Sequence, residues 1–245
     1  MERRTTGIAL ALLGLAATTQ ARAQDETPDP IEFTIDAGFA STSGNSNVTT
    51  ITAGQSFSYT TGQFVLSQAF DMLFNQTEDS TTAEAYKGNL RGDRTFGSAE
   101  RMSLFLDLRG SRNRFAGIAR RFEQALGLTY DVVKTEKDVI AVEGGATLVQ
   151  QHGTNGLDNN YPAALAGARY LHYFTPDATF TVTGEYLPNL ENGNDYRLNG
   201  QAKILAPLSG KIAITLSYRV RFDNEPEPGF QKTDKFFTTG IQISL

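Results

Sequence analysis

The 245-residue sequence contains no cysteine and no tryptophan, and it has only two histidines and eight prolines. Without cysteine, neither a disulfide framework nor a thiolate metal site can form. The formal net charge is −5, so the chain lacks the basic excess with which proteins bind nucleic acid. Beyond residue 23 no apolar run reaches the roughly 18 residues that a transmembrane helix needs. The sequence therefore excludes disulfide-rich domains and helical inner-membrane proteins, and its charge argues against nucleic-acid binding.

The longest apolar run lies at the N-terminus, in a segment with the form of a secretory signal peptide. Basic MERR precedes the apolar stretch GIALALLGLAA, and ARA supplies a small-x-small cleavage site that ends at Ala23. We therefore expect residues 1–23 to be a signal peptide that is removed on export. Residues 24–30 would then form a short periplasmic tail, and residues 31–245 a single domain.

Residues 211–222, KIAITLSYRVRF, alternate between apolar and polar side chains. A period of two indicates a β-strand with two different faces. Twelve segments alternate in this way, although those around Tyr86 and near 163–174 are poorly patterned. The segments run for about 10–13 residues, the length that crosses a bilayer at a tilt, whereas strands of soluble proteins usually have about 5–6. A periplasmic β-sandwich with long strands is the alternative interpretation.

Short and long connections alternate between these segments. TTG, KTEK, TPDA and PLSG are tight turns, whereas STSGNSN, NQTEDST, GSRNRFAG, QHGTNGLDNN, PNLENGND and NEPEPGFQKTD are longer and polar; GDRTFGSAE is the one long link in the short class. Outer-membrane barrels have short periplasmic turns, long outer loops and aromatic girdles. Aromatic residues also lie near the segment ends. The sequence therefore predicts an all-β, antiparallel, twelve-stranded transmembrane β-barrel in the bacterial outer membrane.

Three passages carry a family resemblance. They are GFASTSGNSN after the first strand, RNRFAGIARRFEQALGLTYDVV in the middle of the chain, and KTDKFFTTGIQISL at its end. In that order they resemble the salt-induced outer-membrane proteins, classified as domain of unknown function 481. The resemblance covers most of the mature chain and implies an outer-membrane barrel of no established activity. No catalytic residues follow from it.

The last eight residues, TTGIQISL, look like the signal that the barrel-assembly machinery reads. Thr238, Gly240, Ile243 and Leu245 occupy its characteristic positions. Members of the family commonly end in an aromatic residue, and Leu245 departs from this. We expect the partners to be this machinery, outer-membrane lipid and lipopolysaccharide. The barrel is expected to be a monomer without a cofactor or a metal.

The polar face of the strands carries charges of both signs, which a membrane barrel turns toward its lumen. The residues expected there are Glu32, Asp36, Asp71, Arg101, Asp107, Arg109, Arg121, Glu123, Glu143, Arg169, Glu185, Arg197, Lys203, Arg219 and Arg221. They could line a channel that selects small ions or solutes by charge, with strands ten and eleven as a basic wall. They could instead pair with one another and plug the barrel. Twelve strands leave both possibilities open, because eight-stranded barrels are filled and 16-stranded barrels conduct.

An outer-membrane lipid hydrolase, which removes acyl chains from lipid A or phospholipid, is the alternative function. It needs a histidine that is positioned by an acid or amide near the outer leaflet. His152 lies in an outer loop near Thr154, Asn155 and Asp158, but no nucleophile motif surrounds it, and His172 is expected at the periplasmic side. Carboxylates of the outer loops could bind divalent cations, although solvation is the simpler interpretation. The sequence favours a structural envelope component or a narrow channel, and not an enzyme.

Overall fold

The computed structural model describes residues 30–43, 48–77, 80–97 and 100–245, so the expected signal peptide and all but the last residue of the tail lie outside the described residues. Twelve antiparallel strands form a closed barrel, in which each strand pairs with its neighbours in the chain and β12 pairs with β1. The strands are β1 (Ile31–Ser43), β2 (Val48–Thr61), β3 (Phe64–Thr77), β4 (Ser80–Phe96), β5 (Met102–Asn113), β6 (Ile118–Lys134), β7 (Asp138–Gly153), β8 (Asp158–Tyr173), β9 (Thr179–Pro188), β10 (Tyr196–Ser209), β11 (Ile212–Asp223) and β12 (Thr233–Ser244). The predicted twelve-stranded barrel is confirmed.

The faces of the strands are inverted relative to a soluble protein. In β5, Leu104 and Leu106 are 45% and 50% exposed, whereas Phe105 and Asp107, which alternate with them, are buried inside the barrel. In β11 the apolar residues face outward and Arg219 lies inside. Water would not stabilise an apolar outer surface of this extent, but lipid does. No helix in the described part of the chain is long and apolar enough to cross a membrane.

The connections divide between two rims. We call the rim that holds Ile31 and Ser244 the inner rim, because short turns and both termini face the periplasm in outer-membrane barrels. The opposite, outer rim carries the connections that follow β1, β3, β5, β7, β9 and β11. Each strand therefore has one end at the inner rim and the other at the outer rim, as the alternation of short turns and long loops in the sequence predicts.

Several connections are shorter in the structure than the sequence predicted. β4 continues to Phe96, so the long link GDRTFGSAE is reduced to residues 97–101. Likewise, half of GSRNRFAG and most of QHGTNGLDNN are strand, because β5 ends at Asn113, β7 ends at Gly153 and β8 begins at Asp158. These polar residues continue the strands beyond the apolar band of the barrel. Strand residues there face water on both sides, so a polar sequence does not indicate a loop. As a result the strands reach 17 residues in β4 and β6.

Candidate functional site in the barrel lumen

The lumen encloses a cavity of about 710 Å³ that is lined by β3 to β12. Its lining begins at Val65 and Thr95, next to the inner rim, and reaches Pro226 and Lys232 in the connection after β11 at the outer rim. The cavity therefore follows the barrel axis through the depth of the membrane. A barrel of this strand number is neither completely filled by side chains nor as wide as a 16-stranded porin.

One side of the lumen is filled by apolar side chains from β5 to β9. Phe105 packs closely against Gly127, where a Cβ atom would lie 2.7 Å from the Cζ atom of the ring. The guanidinium carbon of Arg91 lies 4.1 Å from the centre of the same ring. The buried residues on this side are Phe105, Ala125, Leu165 and Leu187 in one cluster, and Val149, Tyr161 and Ala163 in a second. This packing narrows the lumen from the side of β5 to β9.

Arg109 on β5 forms an ion-pair bridge across the middle of the lumen. Its Nε donates to Asp107 over 2.7 Å, and its Nη1 donates to Glu185 on β9 over 2.6 Å. Glu185 also accepts a hydrogen bond of 3.0 Å from Asn199 on β10. Because β5 and β9 are four strands apart, this bridge spans a chord of the barrel. The arginine contacts both carboxylates and balances one of their two negative charges.

Two further sets of ion pairs lie on either side of this bridge. Toward the inner rim, Arg91 on β4 contacts Asp93 at 3.0 Å and Glu143 on β7 at 3.1 Å. Toward the outer rim, Arg197 on β10 and Glu123 on β6 approach to 2.6 Å, with both side chains nearly buried. Their atoms are in ion-pair contact but are not aligned for a hydrogen bond. These bridges bind the acids of one wall to arginines of another.

Arg121 on β6 adds a contact near the outer rim. Its Nε donates to Gln151 over 2.7 Å, and its Nη2 lies 3.9 Å from Asp223 on β11. The neighbouring Arg221 places its guanidinium carbon 5.0 Å from the ring centre of Phe236. Polar and cationic groups therefore crowd the outer third of the lumen.

Several cations of the cavity lining, among them Lys87, Arg169 and Arg219, stand outside these ion pairs. In the described part of the chain, no ion pair includes Lys87, Arg169 or Arg219. Arg219 donates instead to the neutral amide oxygen of Gln201 over 3.4 Å. Most lumen carboxylates are engaged by arginine, whereas these cations keep their charge unmatched at short range. The open part of the lumen consequently has a cationic face.

The structure brings most of the sequence-predicted charges together. Those that line the cavity are Asp107, Arg109, Arg121, Glu123, Glu143, Arg169, Glu185, Arg197, Arg219 and Arg221. Glu32, Asp36, Asp71 and Lys203 lie on strands but outside this lining, and Arg101 belongs to the link after β4. Lys203 donates to Gln242 over 3.3 Å, and Gln242 pairs with Asp36. The expected basic wall of β10 and β11 is divided, because Arg197 is tied to Glu123 on β6.

Sequence reasoning missed Lys87, Arg91 and Asp93, which line the cavity from β4. The outer face of this strand carries Gly88 and Gly92, whose missing side chains hide the apolar alternation. Phe70 and Phe64 of β3 come near these glycines: Cβ atoms there would lie 3.6 and 3.5 Å from the two rings. The sequence still contains one signal of the strand, because polar residues occupy every second position on its inner face. They are Lys87, Asn89, Arg91 and Asp93.

The connection 224–232, which we call the mouth loop, folds over the outer opening. Glu227 accepts hydrogen bonds from Gln151 Nε2 at 2.7 Å and from Asn155 Nδ2 at 2.9 Å. Phe230 lies against Gly117, where a Cβ atom would come within 2.6 Å of its ring; Gly117 also has a φ of 73°. The loop starts at β11 and is fastened near β7, so it crosses the opening and restricts access to the lumen.

The two histidines lie outside the lumen. His152 pairs across the strands with Arg120 and Asp158 on the outer surface, and its Nδ1 lies 2.7 Å from Asp158. Among the described residues, no hydroxyl group is bonded to this ring, and Asn155 is engaged by Glu227. His172 contacts Asp138 over 2.8 Å near the inner rim. The described residues also contain no group of three or more side chains placed to hold a metal ion.

The chain matches one family model, and its fold matches solved outer-membrane proteins. Residues 35–244 match the family described as "Protein of unknown function, DUF481". The family resemblance seen in the sequence is therefore confirmed. No curated protein matches the sequence.

Three solved structures illustrate the fold. The NanC porin shares 10% identity and a TM-score of 0.59, over 86% of this chain and 100% of that chain. An outer-membrane channel from Pseudomonas putida F1 shares 10% identity and a TM-score of 0.58, over 92% and 100%. The outer membrane phospholipase A from Escherichia coli shares 9% identity and a TM-score of 0.52, over 86% and 89%. Because both channels and an enzyme have this architecture, the fold alone does not indicate which function this chain has. The side chains of the lumen have to distinguish between them.

Proposed function

The chain belongs to the DUF481 family, and from that premise we propose that it forms a narrow outer-membrane channel for small solutes, with a preference for anions. The observation that carries the proposal is the axial cavity of about 710 Å³ with cations outside the ion pairs. Two of the structures that share the fold, a porin and a channel, are consistent with it. The salt-induced type is part of the proposal, because a pore for small ions would act when external salt changes.

The preference for anions follows from how the lumen charges are used. Asp107 and Glu185 share Arg109, and Asp93 and Glu143 share Arg91, whereas Glu123 has Arg197. Three arginines thus balance three of these five negative charges. Lys87, Arg169 and Arg219 are not neutralised in this way. Fixed charges in a narrow passage with low-dielectric walls concentrate mobile ions of the opposite sign. A small anion would therefore enter more readily than a cation of the same size.

Reversal potentials in planar bilayers test this proposal. In a salt gradient we expect the wild type to be anion-selective, and Lys87→Glu and Arg219→Glu each to shift the reversal potential toward cations. Lys137→Glu is the matched control, since Lys137 is exposed in the inner-rim turn between β6 and β7 and does not line the cavity. A wild type that prefers cations, or the same shift in the control, would refute the anion preference.

A silent bilayer would favour the plug instead of the channel. If neither the wild type nor a variant with a shortened mouth loop conducts, the ion pairs close the lumen and a structural role remains. The lipid hydrolase is weaker, because the His152 ring contacts Asp158 without a positioned hydroxyl nucleophile. Loss of lipid acyl chains on overexpression, abolished by His152→Ala, would replace the channel with this enzyme.

A further inference from the structure

Three arginines face outward at the outer-rim ends of β5 and β6. Arg112 pairs with Tyr86, which pairs in turn with the outward-facing Met72, so Arg112 lies on the lipid side of the barrel. Arg120 lies two residues from Phe122, which is 42% exposed on the same face of β6. Arg114 follows in the short 3-10 turn between the two strands. Their side chains can therefore contact the lipid that surrounds the barrel.

The height of these arginines places them at a lipid headgroup layer. Arg112 is ten residues from Met102, at the inner-rim end of β5, and Arg120 is ten residues from Tyr130 on β6. With a rise of about 3.4 Å per residue and a tilt of about 45°, ten residues correspond to about 24 Å of height. The apolar band of an outer-membrane barrel is about 25 Å tall. Both arginines therefore lie at its outer edge.

One carboxylate organises the group. Glu84 on β4 lies 2.9 Å from Arg112 Nε and 3.6 Å from Arg114 Nη1, and its side chain is only 14% exposed. Arg112 and Arg114 remain 43% and 54% exposed, so each keeps nitrogen atoms free for another ligand. In the described residues no ion pair involves Arg120. Three positive charges and one negative charge leave a local excess of cations on a chain whose net charge is −5.

We propose that this outer-rim patch, defined as Glu84, Arg112, Arg114 and Arg120, binds a phosphate group of lipopolysaccharide. Guanidinium groups bind phosphate through paired, charge-assisted hydrogen bonds. The edge of the hydrocarbon layer strengthens these bonds, because water competes less there than in bulk solution. Lipopolysaccharide is the phosphate-bearing lipid of the outer leaflet, which is the leaflet at this height. The partner thus has the charge, chemistry and depth that the patch requires.

Native mass spectrometry of the purified barrel with added lipopolysaccharide tests the patch. We expect Arg112→Gln combined with Arg120→Gln to weaken binding at least about tenfold, as loss of charge-assisted bonds does. Glu84→Gln removes the competing carboxylate and should tighten binding. The matched control is Arg94→Gln, since Arg94 also faces outward, beside Phe64, but at the inner rim. A heat-dependent gel shift of every variant verifies that the barrel has folded.

The choice of probe identifies what is recognised. Dephosphorylated lipopolysaccharide should bind as weakly as lipopolysaccharide binds the double variant, and inorganic phosphate alone should not compete at equal concentration. Equal binding of the dephosphorylated and intact lipids would overturn the proposal. So would equal loss of binding in Arg94→Gln, because the effect would then reflect total charge. Tighter binding of phosphatidylglycerol than of lipopolysaccharide would assign the patch to a different lipid.

Discussion

Leu216 shows at the scale of one residue how the membrane determines which substitutions the barrel accepts. It is 38% exposed on the outer face near the middle of β11, where only lipid can surround it. We expect Leu216→Arg to lower the free energy of unfolding by about 2–4 kcal/mol, the cost of a cation at the bilayer midplane. The measurement is a refolding titration followed by circular dichroism, because the chain has no tryptophan for fluorescence.

Ser217→Arg is the control for Leu216→Arg. Ser217 faces the lumen, where it accepts a hydrogen bond of 3.1 Å from Gln201, and a cation can remain hydrated there. The cost should be clearly smaller than for Leu216→Arg. Equal losses of stability in the two variants would mean that the inside and outside of β11 are assigned wrongly.

Alternation predicted the direction of residues such as Leu216 and Arg219, but it did not predict the space around them. Thr215 shares the inward parity of Ser217 and yet is 7% exposed, because it is enclosed by its neighbours in the wall. Arg197 was expected in a basic wall and is instead tied to Glu123 on β6. Parity is a property of one strand, whereas space and charge pairing depend on the opposite wall. That wall is distant in sequence.

At the scale of elements, the mouth loop is held over the outer opening of the lumen by a few contacts. Glu227→Ala removes both hydrogen bonds that fasten the loop to Gln151 and Asn155. We expect single-channel records in bilayers to show longer or larger openings than the wild type, because the loop no longer closes the outer opening. Glu136→Ala removes the same charge from the inner-rim turn after β6 and should change neither. A Glu227→Ala record that cannot be distinguished from the wild type would show that the loop does not gate.

The strands were predicted more accurately than the connections between them. All twelve elements exist where alternation placed them, and even the poorly patterned β4 runs from Ser80 to Phe96. The path of the mouth loop was not predictable, because its sequence shows only polarity and turn residues. Its position depends on single contacts, such as Phe230 against Gly117, that join distant parts of the chain.

At the scale of the whole molecule, the inverted surface predicts how the protein behaves outside its membrane. We expect the protein in the outer-membrane fraction. On a gel it should migrate faster without boiling than after boiling. Its mature N-terminus should be Gln24. The compact barrel resists detergent unfolding until heated, since its ladder of hydrogen bonds has no open edge. Recovery from the soluble periplasm, or an unshifted gel band, would contradict the membrane assignment. N-terminal sequencing checks the cleavage site separately.

The pairing of β1 with β12 has a consequence for the order of folding. Gly38 and Gly240 face each other in this pair, and a Cβ atom at Gly38 would lie 2.7 Å from the Cα atom of Gly240. β1 can therefore complete its hydrogen bonds only after β12 has been synthesised. Until then the sheet has two open edges, whose backbone groups lipid cannot hydrogen-bond. Contacts between the two ends of the chain form slowly. Only a chain that carries both β1 and β12 can close at this pair, so we expect a chain that lacks either strand to stay open and sensitive to proteases.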